Sequence, residues 1–148
     1  MKFKIVADSS ADIPVIKSIP FESVPLKIVT DVKEYVDDAA LDVAGMVADL
    51  LKYKGKSGTA CPGPGEWVAS FGDAEYVFCV TITSNLSGSY NSACVAKEQY
   101  EVAHPDRKVC IIDSWSAGAE MYMIVEKLEE LILAGKSFDE IREEITDY

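Results

Sequence analysis

Residues 76–82, YVFCVTI, are an unbroken apolar run rich in Val, Ile and aromatic side chains, with polar residues on both sides. Its length suits a strand covered on both faces, as in a parallel sheet. The segment TSNLSGS follows, and then YNSACVAKEQY, which lacks Gly and Pro; Ala93, Ala96, Tyr100 and, just beyond it, Ala103 recur at helical spacing. The sequence therefore predicts a strand, a hydroxyl-rich turn and a helix in succession. In α/β folds that succession places a ligand beyond the strand's carboxyl end. There it meets the unbonded N–H groups and the positive dipole end of the helix.

The turn carries Thr83, Ser84, Ser87 and Ser89 around Leu86 and Gly88. Hydroxyls combined with helix N-terminal amides bind a carboxylate or phosphate without a full positive charge. Helix capping alone is the competing reading, but a cap needs a single hydroxyl. GxGxxG and GxxxxGK[ST] are both missing, which argues against a standard nucleotide-phosphate loop.

Along the chain, Phe3 to Ala7 reads as a strand running into Asp8-Ser9-Ser10-Ala11-Asp12. Asp12 could cap a short helix with Pro14 in its first turn and Pro20 ending it. Phe21 to Thr30 reads as a second strand, with Pro25 placing it at an edge or a bend. Residues 31–38 suggest a short extension or hairpin. From Asp42 to about Tyr53, Val43, Met46, Val47, Leu50 and Leu51 recur as one face of an amphipathic helix. KGKSGTACPGPG, residues 54–65, predicts irregular backbone, with Thr59 held extended ahead of Pro62. A short helix over Glu66 to Phe71 follows.

Lys108 to Asp113 is another strand running into Ser114–Gly118. Met121, Ile124, Val125, Leu128, Leu131 and Ile132 then line a helix that Gly135 ends. Ser137 and Glu140 form a capping box for a final helix. Strands alternating with helices give an α/β fold of three layers, a mainly parallel sheet with helices on both faces. The turns after Ala7, Ile82 and Ile112 should gather at one sheet edge.

The chain's 148 residues fit one domain, and its longest apolar runs are too short to cross a membrane. A net charge of −11 with few basic clusters disfavours nucleic acid and anionic membrane surfaces. Cys61, Cys79, Cys94 and Cys110 form no CxxC pair, and Cys79 and Cys110 read as reduced core residues. With no secretory signal visible at the start, a cytoplasmic location is expected. The single histidine, His104, should lie at the amino edge of the sheet, away from the serine loops, and GxSxG is missing. No metal is expected from Cys/His spacing. Asp8, Asp12 and Asp113 could hold Mg²⁺ with phosphates, or cap their helices. A metal-dependent phosphotransferase or hydrolase, and a ligand-free interaction module, stand as alternatives to an anion-binding protein.

Four segments in order, KIVADSSADIP, GTACPGPGEW, TSNLSGSYNSA and IIDSWSAG, resemble the DegV family of bacterial fatty-acid-binding proteins over the whole chain. The Leu-Ser-Gly core with its following aromatic is the most specific of them. The resemblance implies two α/β domains enclosing a long-chain fatty acid, its carboxylate held by hydroxyls. It implies no cofactor and no catalysis by this chain, the acid being presented to a fatty acid kinase. Thr59 corresponds to one carboxylate ligand and Ser87 to another, with Ser84 and Gly88 completing the candidate set. The family's usual Ser and Gln after the threonine are Ala60 and Cys61 here. Family members continue for about as many residues again into a second domain, so residues 1–148 match the N-terminal domain. His104 matches no position of the C-terminal histidine motif. The uncovered tunnel wall would favour self-association.

Overall fold

A computed structural model describes residues 2–13 and 15–148. In chain order the elements are β1 (Phe3–Asp8), a 3₁₀ turn at Ser9–Ala11, β2 (Phe21–Val24), β3 (Lys27–Val29), β4 (Glu34–Val36), α1 (Val43–Lys52), β5 (Gly58–Ala60) and α2 (Pro64–Phe71). They continue with β6 (Tyr76–Thr81), α3 (Ser89–Ala103), β7 (Lys108–Asp113), α4 (Ala119–Leu133) and α5 (Phe138–Asp147).

The apolar runs form one parallel sheet in the order β2-β1-β6-β7. Side chains along β6 alternate between two cores, as the period of a strand requires. Val77 and Cys79 pack with Val6 and Val109 against Trp67 and Phe71 of α2 and Ala93, Ala96 and Tyr100 of α3. Phe78 and Val80 pack with Ile5 and Ala7 on the opposite side, against Met121, Val125 and Leu128 of α4 and Phe138 and Ile141 of α5. This is the expected three-layer α/β architecture. The small residues of α3 let it lie close to the sheet. Trp67 is fully buried, and its indole N–H finds no acceptor among the described residues. All four cysteines are free, and burial pushes the Cys79 thiol well above its ordinary pKa.

The helix ends follow the sequence signals. Gly135, at φ 79°, closes α4 in a left-handed conformation that a side chain would strain. Ser137 Oγ accepts from the Glu140 N–H, while the Glu140 carboxylate accepts from the Ser137 N–H at 2.8 Å. Phe138, the first residue of α5, stacks on Phe78 at 4.9 Å between ring centroids.

Four expectations need correction. Pro25 does more than bend a strand: it separates β2 in the main sheet from β3 in a second, antiparallel sheet of order β4-β3-β5. The hairpin over residues 31–38 is present as the β3–β4 pair, but Gly58–Ala60, expected to be irregular, is a strand with Thr59 opposite Ile28. No helix follows Asp12 through residues 15–19. Asp12 instead closes the 3₁₀ turn at φ 53°, and Pro14 lies outside the described residues. At α2 the helix starts two residues early because Pro64 occupies the first helical position, where its missing N–H costs nothing.

Residues 27–60 make up the second sheet and α1, and they are built differently from the body. The Asp42 carboxylate caps α1 by accepting from the Gly45 N–H at 3.0 Å. Polar links then fasten the helix: Tyr35 Oη and Lys33 Nζ each reach Asp49 Oδ2 at 3.0 Å. The amphipathic pattern is real, yet α1 buries no residue, and Val43, Val47 and Leu51 are 57%, 45% and 82% exposed.

Candidate functional site

Parallel strands bring the carboxyl ends of β1, β6 and β7 side by side, and one residue ties the turns there together. Asp8 ends β1 fully buried. Its Oδ2 accepts from the Ile82 N–H and from the Ser89 hydroxyl, both at 2.8 Å. Its Oδ1 accepts from the Ser10 hydroxyl and, at 3.3 Å, from the Ser10 N–H. The neighbouring turns cross-link in the same way, Thr83 N–H to Ser116 O at 2.9 Å and Gly118 N–H to Ser10 O at 3.0 Å. The three turns gather at one edge, as the sequence implied.

Between Ile82 and Ser89 the hydroxyl loop makes a tight turn. Thr83 O accepts from Leu86 N–H at 3.0 Å and from Ser87 N–H at 3.2 Å. Ser87 Oγ in turn accepts from the Ser89 N–H at 3.2 Å. Part of the capping reading is therefore correct, since Ser87 satisfies one amide at the start of α3. Its own hydroxyl proton is donated to no described residue.

The second sheet supplies the facing wall. As the chain leaves β5, Pro62 O accepts from Ser92 Oγ at 2.6 Å, drawing the 59–62 segment against α3. Cys61 Sγ lies 3.4 Å from where a Cβ on Gly88 would stand, so a methyl group there would touch the thiol. A cavity of about 660 Å³ opens between the two walls. Thr59, Cys61, Ser87 and Gly88 line it, with Leu26, Ile28, Leu41, Met46, Ile82 and Leu86 as its apolar surface. Lys27 also borders it, but its ammonium is paired with Glu66 at 2.9 Å, and that bond raises its pKa. The donors left for a ligand are neutral ones.

The structure thus places Thr59, Ser87 and Gly88 on one cavity. Ser84 goes elsewhere. Its N–H is held by Asp113 Oδ1 at 3.1 Å, and it lines a separate cavity of about 950 Å³ with Tyr90, Asp113 and Trp115. Trp115 is 73% exposed there, at φ 54°. The sequence reading also missed the apolar part of the site, Leu41, Met46 and Cys61. The unsatisfied stripe of α1 was the available signal.

The metal-dependent alternative loses its central ligand, because both Asp8 oxygens already accept from backbone and hydroxyl donors. Asp113 is engaged through Oδ1, which accepts from the N–H groups of Ser84 and Trp115. Among the described residues no group of three or more His, Cys, Asp or Glu is placed to hold a metal. His104 ends α3 with its ring 5.1 Å from that of Tyr100, at the edge where β7 begins. None of the described helices is long and apolar enough to cross a membrane.

Comparison with known proteins agrees with this architecture. Residues 2–148 match the family model described as "Uncharacterised protein, DegV family". A DegV domain-containing protein of Streptococcus gordonii is 43% identical over all of this chain and 54% of its own length. A DegV family protein from Eubacterium eligens, solved loaded with heptadecanoic acid, is 46% identical with a TM-score of 0.96, over 99% of this chain and 53% of that one. The Fatty Acid Kinase (Fak) B3 protein of Streptococcus pneumoniae, solved loaded with linoleic acid, is 45% identical with a TM-score of 0.94, over 100% of this chain and 54% of that one. The chain spans about half the length of the curated relatives it matches. With residues 2–148 matched by the family model, this chain belongs to the DegV family.

Proposed function

We propose that residues 1–148 are the N-terminal module of a fatty-acid-binding protein and hold the carboxylate of a long-chain acid. Thr59 and Ser87 donate their hydroxyl protons, and Gly88 allows close approach. The observation that carries this reading is the cavity that Thr59 and Ser87 both line beside an apolar wall. Its volume of about 660 Å³ lies within the range of small-molecule sites, about 300–1,000 Å³. The helix dipole of α3 adds to the hydroxyls, so the acid needs no lysine or arginine. Ser84, on its separate cavity, is left out of this headgroup set. The relatives solved with heptadecanoic and linoleic acids support the ligand class. The module binds rather than catalyses. In the cytoplasm the held acid would be offered to a fatty acid kinase, which supplies all of the phosphoryl-transfer groups.

On this reading residues 1–148 supply one wall of the tunnel. Enclosing about fourteen methylenes stabilises by on the order of 11 kcal/mol, at about 0.8 kcal/mol each. A single wall covers about half of that and forfeits on the order of 5 kcal/mol, roughly 10⁴ in affinity. Calorimetric titration with palmitate below its micelle concentration should therefore show weak binding by the monomeric chain. Mass spectrometry of a lipid extract should still recover fatty acid in preference to neutral lipid, and self-association through the open wall should accompany it. Tight stoichiometric binding by the monomer would overturn the one-wall geometry. An extract holding no acid, with no titration signal, would overturn the ligand class.

A further inference from the structure

We infer that Asp8, acting through Ser89, is a positioning residue that fixes Ser87 as a hydrogen-bond donor aimed into the cavity; the inference rests on the carboxylate-binding reading above. One carboxylate oxygen, Asp8 Oδ2, accepts at 2.8 Å from both Ile82 N–H and Ser89 Oγ. Ile82 precedes the hydroxyl loop and Ser89 ends it, so a single atom staples both of its ends. Asp8 and Ser89 are both fully buried, and the low local dielectric strengthens the bond between them. Anchoring the Ser89 side chain fixes its backbone N–H, which donates to Ser87 Oγ at 3.2 Å. An acceptor lone pair of Ser87 is thereby occupied from behind. Its one proton is left for the cavity side, where no described residue accepts it. An ionised carboxylate takes that proton in a charge-assisted bond, roughly twice as strong as the neutral one an alcohol oxygen accepts.

The test compares two soluble probes, octanoate and octan-1-ol, titrated into the 148-residue chain by NMR. The unmodified chain is expected to prefer octanoate, and Ser87→Ala to lose that preference. Ser89→Ala should lower octanoate affinity about tenfold while leaving octan-1-ol within about twofold, the pattern of a misaimed charge-assisted bond. Asp8→Asn keeps an oxygen that accepts two bonds and should lose only about threefold, so positioning is separated from charge. If Ser89→Ala fails to fold, Ser89→Cys, similar in size and a weak donor, takes its place with the same expectation. An equal loss for both probes would make Ser89 a purely structural residue and overturn the inference. So would an unchanged preference in Ser89→Ala alongside a lost one in Ser87→Ala. An unmodified chain with no preference, or a Ser87→Ala variant that keeps it, would overturn the carboxylate reading itself.

Discussion

The main sheet with its four helices and the unit formed by residues 27–60 satisfy the same sequence rules with opposite results. In the body, apolar periodicity ends in burial: Phe78, Leu128 and Ile141 are all fully enclosed. In the smaller unit α1 has an apolar stripe of equal clarity that encloses nothing, and Tyr35 is the buried hydrophobic residue of the sheet beside it. Few links tie this unit to the body, among them the Lys27–Glu66 pair at 2.9 Å, next to the Leu26 N–H to Ser9 Oγ bond at 3.0 Å that anchors the chain just before it. An amphipathic pattern specifies that a surface be covered. It does not say by what, and in this chain the covering is absent from α1 while the fold of the unit is held by caps and ion pairs.

Hydrogen exchange separates the two regions most plainly. Amides of β6 should exchange only on global unfolding and those of α1 by local opening, so their rates should differ by about 10³ or more. Equal protection would mean that the two regions fold as one unit. Next in size is a pair of truncations. Phe78→Ala, which empties a site between Phe3 and Phe138, should cost about 3–5 kcal/mol in denaturant unfolding. Leu51→Ala, on the open face, should fall within about 0.5 kcal/mol.

The two proposed hydroxyl ligands come one from each region, and their losses should differ accordingly. Ser87→Ala, on the stapled loop, should weaken carboxylate binding by about 10- to 150-fold, the value of a bond to a charged acceptor. Thr59→Ala, on an exposed three-residue strand, should weaken it by about 2- to 12-fold. The reverse order would place the rigid half of the site on the smaller unit. The smallest effect concerns the Lys27–Glu66 link. The Gly63 N–H and then Lys27 hold the Glu66 carboxyl below its ordinary pKa. A depressed carboxylate stabilises fully above its unfolded value and loses that contribution as pH falls through the folded one. Acidification below about pH 4.5 should therefore loosen residues 27–60. Because the Glu66 side chain is 41% exposed, screening keeps the link below about 1 kcal/mol. Lys27→Met should accordingly raise exchange in β3 by less than about fivefold and leave β6 unaffected.

The strands of the body were legible because an apolar run such as YVFCVTI has no other stable arrangement, and α4 and α5 because their spacing and caps agree. Gly58–Ala60 was not. Only Thr59 favours extended backbone, between a Gly and an Ala that do not, and the segment becomes a strand because β3 offers an open edge. The missing helix after Asp12 failed for the converse reason, a local signal with no apolar face behind it. At the site, the hydroxyl loop and its place at the sheet edge could be read directly. Ser84 could not be separated from Ser87, since only the fold shows that Asp113 draws Ser84 to the other side.

The two tryptophans report on this molecule optically. Trp67 is sealed between α2 and the sheet, next in sequence to the Glu66 that joins the smaller unit, while Trp115 stands in solvent beside the wider cavity. Their emission should separate in wavelength, and a soluble quencher such as iodide should darken Trp115 first. The residual blue-shifted signal from Trp67 would then follow the packing of the body alone, without a label, through every titration described above.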